Sequence, residues 1–230
     1  MVYQFAIDIS KSTNNIYLLY DIISQERKYR ISKYAFKKDK DRSILAEALL
    51  RYVLEKEYGL KNEEIKIGLG AYNKPYLINA EDIFFNLSHS GKWIYCGIGD
   101  NELGVDVEII DNNYIEIARR FFAKSEYQYI CQQSPENQKD FFYKFWTLKE
   151  SYVKAVGKGL YIDFNSFCFK IENNNIKLIV DGNLQTAYQF ISCKLDSEYW
   201  RALCVHDSRK IDFNNSLNKI EIQQLIDFYA

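Results

Sequence analysis

The chain reads as an α+β fold, and three observations carry that reading. Strand-like alternation recurs in both halves. Two long stretches, near residues 39–58 and 138–156, show helical spacing instead. The two kinds of segment do not alternate strictly as βαβ units. A length of 230 residues suits one large domain or two small, tightly joined ones, and 47% hydrophobic residues can supply a sizeable core.

Residues 2–9 alternate as a strand, and residues 24–42 are polar and basic. The spacing predicts a helix over 39–58, with Ile44, Leu45, Ala48, Leu49, Tyr52 and Val53 on its apolar face and Gly59 as its stop. Residues 65–72 and 83–87 read as strands around an Asn73-Lys74-Pro75 turn, and 93–99 and 103–110 as strands around the turn 99–102. Residues 115–122 read as helix, and a second piece opens on Ser125 and Gln128 as a capping box. After a loop at 134–137, a helix over 138–156 ends at Gly157. Four strands follow, at 166–172, 176–181, 186–195 and 198–206, then a closing helix at 220–229 whose start can also be strand. There is no internal repeat, low-complexity tract or long linker.

A net charge of −1 gives no overall basic surface, which argues against nucleic acid as a partner. The five cysteines are odd in number and form no CxxC pair, so they read as free thiols of a reducing cytoplasm rather than as a disulfide framework or zinc site. No leader-like opening is seen, and no apolar run approaches the roughly 20 residues of a membrane helix. The expectation is a soluble cytoplasmic protein with no membrane association.

Four features carry chemistry. In Leu103-Gly104-Val105-Asp106-Val107-Glu108-Ile109, the odd positions share one strand face and Gly104, Asp106 and Glu108 the other. The two carboxylates stand about 6.6 Å apart along the strand, near enough to converge on one cation. Without a cation or protons they repel, and one carboxyl rises in pKa. A solvated edge-strand face is the alternative. Trp146, Glu150 and Lys154 follow i, i+4, i+8 spacing on one helix face, either as a surface ion pair or as a partly buried stripe. In Phe85-Asn86-Leu87-Ser88-His89-Ser90-Gly91 a strand runs into a polar turn. Ser88 and His89 point to opposite faces, so they are poor as a nucleophile–base pair and better suited to hydrogen-bonding an anion. Between Arg27 and Arg42, eight cationic side chains face only two carboxylates, as a solvated face or as a phosphate cradle near a helix N-terminus.

Together these residues resemble the surfactin-synthetase-activating (Sfp) type of phosphopantetheinyl transferase. That family carries F-N-[IL]-S-H-S-G, then G-[IV]-D-[IV]-E, then W-[ST]-x-K-E-[SA]-x-x-K; here residues 85–91, 104–108 and 146–154 match in that order. Lys74-Pro75, Arg120-Phe121-Phe122 with Lys124 and Glu126, and Gly157-Lys158-Gly159-Leu160 are secondary matches, and the resemblance spans about residues 24–160. It implies transfer of the phosphopantetheine arm of coenzyme A to a serine of an apo acyl or peptidyl carrier protein, with release of 3′,5′-ADP. Asp106, Glu108 and Glu150 are then ligands of Mg²⁺, or of Mn²⁺. Glu150 is also the base for the carrier serine, and Lys154 steadies the pyrophosphate. His89 with Ser88 contacts phosphate, and Lys74, Arg42 and Lys28 contact the adenosine phosphates. The implied fold is two similar α+β subdomains about a pseudo-twofold axis, taken here as residues 1–102 and 103–230, in a monomer.

Two positions depart from the family pattern. Asp41 stands where relatives often carry His, and an acid there is unfavourable beside a phosphate. Asn73 replaces the turn glycine before Lys-Pro, a change that Asn tolerates because it accepts left-handed backbone angles. Two other readings stay open: a Mg²⁺-dependent hydrolase of pyrophosphate compounds, and a non-catalytic module binding coenzyme A or a carrier.

Overall fold

The computed structural model describes residues 1–11, 14–112, 114–172, 175–209 and 217–230. Strand β1 (Val2–Asp8) is followed by helices α1 (Gln25–Ser32) and α2 (Lys37–Tyr58), the hairpin β2 (Ile67–Leu69) and β3 (Pro75–Leu77), and strands β4 (Phe84–Ser90) and β5 (Trp93–Gly99). Strand β6 (Leu103–Ile109) opens the second half, before α3 (Ile115–Phe121), α4 (Lys124–Cys131) and α5 (Pro135–Val156). Then come β7 (Phe167–Glu172), β8 (Asn175–Val180), β9 (Asn183–Leu184), β10 (Tyr188–Asp196), β11 (Tyr199–His206), β12 (Leu217–Ile220) and α6 (Ile222–Tyr229). The α+β expectation holds.

Each half places one 22-residue helix on one sheet. In the first, α2 buries Leu45, Leu49 and Val53 against Phe5, Ile7, Cys96 and Ile98 of the sheet β12-β1-β5-β4. In the second, α5 buries Leu148, Tyr152 and Ala155 against Ala202 and Cys204 of the sheet β10-β11-β6. A third core lies between the sheets, where Ala6 and Tyr95 meet Val105, Val107, Leu203 and Val205. The odd residues of β6 thus enter the seam between the halves, and its even residues are left for α5.

The structure adjusts several boundaries. Helix α1 lies inside the basic stretch read without an element. It is polar on most of its surface, so no periodicity marks it; Ser24 Oγ accepts the Arg27 N–H (3.2 Å), and Arg27 pairs with the buried Glu47 (3.0 Å). Helix α5 takes in most of the expected loop 134–137, because Pro135 at its first position forgoes an N–H that would be unpaired there anyway. Helix α4 starts not on a Ser125/Gln128 box but at Ala123, whose N–H is accepted by Glu126 (3.1 Å). The strand expected at 65–72 stops at Leu69, since Tyr72 and Asn73 turn left-handed at φ 58° and 62°. The closing segment begins as β12, pairs in parallel with β1 and packs α6 into the first core, so residues 217–230 return to the N-terminal half.

Candidate active site

The site exists because Gly104 has no side chain. A Cβ at this position would overlap the carbonyl oxygen of Ser151 and the amide nitrogen of Ala155, and would lie 2.8 Å from the Lys154 carbonyl carbon. Helix α5 therefore presses its backbone directly onto β6. That approach sets Lys154, with Glu150 one turn earlier, over the face carrying Asp106 and Glu108.

Asp106 is 1% exposed. Its Oδ1 accepts from Lys154 Nζ at 2.6 Å and from Ser88 Oγ at 2.9 Å, and Lys154 also donates to Ser88 Oγ at 3.1 Å. Glu108 Oε2 accepts from Ser90 Oγ at 2.7 Å. Burial pushes the Asp106 carboxyl up against the opposing pull of Lys154. Burial, then the Asp106 charge, raise both Glu150 and Glu108, the latter to about 7. Burial works against the Lys154 ammonium, but Asp106 and Glu150 overrule it and hold Lys154 above its ordinary value. One ammonium thus serves three carboxyls raised first by burial, and the Asp106 charge adds to that for Glu108 and Glu150, the repulsion expected of neighbouring carboxylates.

A pH dependence follows. An unfolded chain ionises Glu108 near 4.5, whereas the fold holds that proton to about 7. Between these values the folded state binds more protons, so the stability contributed by Glu108 declines as pH rises through the window and is level above it. In EDTA, Glu108→Gln should gain thermal stability relative to the parent between about pH 5 and about pH 7.5. An unchanged difference across that range would contradict the assignment.

His89, on the opposite face of β4, joins Arg27, Tyr34, Asp39, Arg42, Ser43 and Ala46 around a cavity of about 150 Å³. Arg42 pairs with Asp39 at 3.3 Å, and its buried Nε has no hydrogen-bond partner among the described residues. Partial desolvation, then the Arg42 guanidinium, hold the His89 imidazole below its ordinary value, although the side chain still meets solvent. Lys28 is not part of this cavity: it reaches the Asp21 carbonyl (3.4 Å) and covers the Tyr20 ring. Arg27, its neighbour, lines the cavity instead. Asp41 is no obstacle there. It is turned away, buried, and bonded by Lys37 (2.6 Å).

Lys74 sits elsewhere along the seam. Its ammonium bonds the Ala155 carbonyl near the C-terminus of α5 (2.8 Å), and burial lowers its pKa. The left-handed pair Tyr72 and Asn73 delivers it there, with Asn73 in the conformation expected of the replaced glycine. A cavity of about 470 Å³ opens beside it, lined among others by Tyr72, Tyr76, Phe85, Glu102, Val156 and Lys158.

The sequence reading missed a buried pair. Lys149 (0% exposed) bonds Glu126 (1% exposed) at 2.8 Å and the carbonyls of Phe164 and Phe167 at 2.7 and 2.8 Å, and it covers the Phe167 ring at 4.2 Å. Glu126 also accepts from Phe169 N (2.8 Å). Every strong donor of the ammonium is used, as a buried charge requires. The pair ties α4 and β7 to α5 one residue before Glu150. Trp146 packs among Phe142 and Phe164, with ring centres 5.7 and 5.3 Å away.

Residues 102–204 match the model of the 4'-phosphopantetheinyl transferase superfamily, and residues 10–97 match a 4'-phosphopantetheinyl transferase N-terminal model. A 4'-phosphopantetheinyl transferase of Bacillus subtilis is 36% identical over 183 residues, covering 79% of this chain and 81% of that protein. The chain belongs to the 4'-phosphopantetheinyl transferase superfamily. Two further relatives agree. The 4'-phosphopantetheinyl transferase gsp of Aneurinibacillus migulanus is 33% identical over 90% of this chain and 85% of its own. The 4'-phosphopantetheinyl transferase Sfp of Bacillus subtilis (strain 168) is 29% identical over 89% and 90%. This enzyme is thus a 4'-phosphopantetheinyl transferase of the Sfp type, as its three motifs implied. Among its described residues, no helix is long and apolar enough to cross a membrane.

Whether the transferase suits a divalent cation is tested by its own donors. Among the described residues, no three His, Cys, Asp or Glu side chains stand ready as a metal cage. Yet Asp106 Oδ2 is buried with no hydrogen-bond partner among the described residues, and the nearby donors are hard carboxylate oxygens in excess of local positive charge. Those features fit Mg²⁺ or Mn²⁺.

Proposed function

We propose that the enzyme moves the phosphopantetheine arm of coenzyme A to the serine hydroxyl of an apo acyl or peptidyl carrier protein. The observation that carries this reading is the partly buried group in which Lys154 bonds Asp106 and Ser88 beside Glu108 and Glu150. Asp106, Glu108 and Glu150 would hold Mg²⁺ or Mn²⁺. Such a cation, when bound, supplies charge neutralisation for a pyrophosphate.

The carrier serine oxygen attacks the phosphorus bearing pantetheine, and the bond from that phosphorus to the oxygen of 3′,5′-ADP breaks. Glu150, a carboxylate raised by burial, accepts the serine proton directly or through water. Lys154 turns from Asp106 toward the pyrophosphate and offsets the charge gathering on the leaving 3′,5′-ADP. The His89–Arg42–Arg27 cavity takes a phosphate of the adenosine moiety, with a ring N–H of His89 able to donate one hydrogen bond. Lys74 serves the adenosine end by holding the end of α5 beside the larger cavity. No nucleophile of the enzyme is needed.

The carrier's helix docks on the surface of residues 115–129, where Phe121 (42%) and Tyr129 (37%) are exposed while Phe122 is buried. Five free cysteines suit a cytoplasmic enzyme, and the unit acts as a monomer.

Intact-mass spectrometry of an apo carrier incubated with the enzyme, coenzyme A and Mg²⁺, with an EDTA control, tests the reading. One added phosphopantetheine that EDTA abolishes is expected. Coenzyme A cleaved without modification of any carrier would replace it with a hydrolase. Intact coenzyme A and unmodified carriers would leave a binding module.

A further inference from the structure

Among the described residues, strand β6 has β11 on one side and no strand on the other. The N–H groups of Val105, Val107 and Ile109 point to that open edge. They are accepted by side chains of β4, a strand of the other sheet: Asn86 Oδ1 at 2.9 Å, Ser88 Oγ at 3.4 Å and Ser90 Oγ at 3.1 Å. Three alternate side chains thus stand where the carbonyls of a neighbouring strand would stand. A hydroxyl that accepts an N–H still has one proton to give. Ser88 gives it to Asp106 Oδ1 (2.9 Å) and Ser90 to Glu108 Oε2 (2.7 Å). The end of β4 is itself held, because Tyr199 Oη accepts the Lys92 N–H at 3.1 Å beyond the Gly91 turn.

We infer that Ser90 is a positioning residue for the transfer reaction: with its lone pair tied to Ile109 N–H, its proton is aimed at Glu108 and holds that carboxylate for a divalent cation. Ser88 does the same for Asp106 from two residues earlier, and leaves Asp106 Oδ2 unpartnered among the described residues. The cation site is therefore assembled across the seam: β6 supplies two carboxylates, α5 supplies Glu150, and β4 of the other half sets how the first two are held. This rests on Asp106 and Glu108 being cation ligands, as proposed above. The alternation Asn86, Ser88, Ser90 follows from this role, since only every second residue of β4 faces β6.

The test is Mn²⁺ binding to the full enzyme in the presence of coenzyme A and without a carrier, followed by the electron paramagnetic resonance of free Mn²⁺. Ser90→Ala should bind Mn²⁺ about 10- to 100-fold more weakly, the usual cost of losing a group that orients a metal ligand. Ser90→Thr, which keeps the hydroxyl, should restore affinity. Coenzyme A affinity measured in EDTA should be the same in all three proteins. Should Ser90→Ala not fold, Ser90→Cys, with a similar shape and a weak S–H donor, should show the loss. Parental Mn²⁺ affinity in the folded Ala or Cys variant overturns the positioning role alone. A parent enzyme that binds no Mn²⁺ overturns the cation assignment and this inference with it.

Discussion

Asp106→Asn should abolish most transfer while leaving the protein folded. The amide keeps the shape of the carboxylate and can still accept from Ser88, so the seam stays closed. What is lost is the charge that holds Lys154 and would bind the cation. Removal of one preorganised electrostatic group costs about 10²- to 10³-fold in kcat, and a group serving both roles belongs at or beyond the upper end. The loss should fall on kcat more than on the KM for coenzyme A, because the adenosine contacts proposed above are elsewhere, at the His89 and Lys74 cavities. Steady-state kinetics with an apo carrier measures both constants. Full activity of the variant would remove Asp106 from the cation site.

Gly104→Ala should damage the fold and the site together. The added methyl meets backbone atoms of Ser151, Lys154 and Ala155, and backbone within a helix cannot swing aside as a side-chain end can. Either α5 lifts from β6 or β6 shifts against β11. Overpacking of this kind costs on the order of 3 kcal/mol or more. For a chain of this size that lowers Tm by roughly 6–12 °C. Activity of the folded fraction should also fall, because α5 carries Glu150 and Lys154. Thermal denaturation followed by circular dichroism, with activity assayed well below the transition, separates the two effects. A Tm equal to that of the parent would show that α5 and β6 are not in backbone contact.

Much of the site was legible because its residues lie on regular elements. The two-residue period of β6 put Asp106 and Glu108 on one face, and the helical period put Glu150 and Lys154 on another. What those faces meet is absent from any periodicity. Ser88 read as an anion contact, yet here its hydroxyl is occupied by Asp106, Lys154 and Val107. Lys74 read as a phosphate contact and is engaged by a helix-end carbonyl. Lys28 and Arg27 are adjacent in a run of cations, and only the path of α1 decides which of them turns toward His89. Helix α1 itself escaped because its anchor is tertiary: Arg27 and the Ser24 N–H both reach Glu47 on α2.

From its own residues, without any fold, the chain determined its α+β class, its two long helices and, through the motifs of the family it resembles, the four charged groups of the proposed site. These depend on period and residue type, which are local. Tertiary structure decided the rest: that Gly104 is a point of backbone contact, that Lys149 is a buried strut rather than a working cation, and that residues 217–230 return to β1. It also decided that serines of one half hold carboxylates of the other. Each of these is a choice of partner between segments far apart in the chain. Such choices are made by burial, which leaves a polar group only the partners that the packing brings within reach.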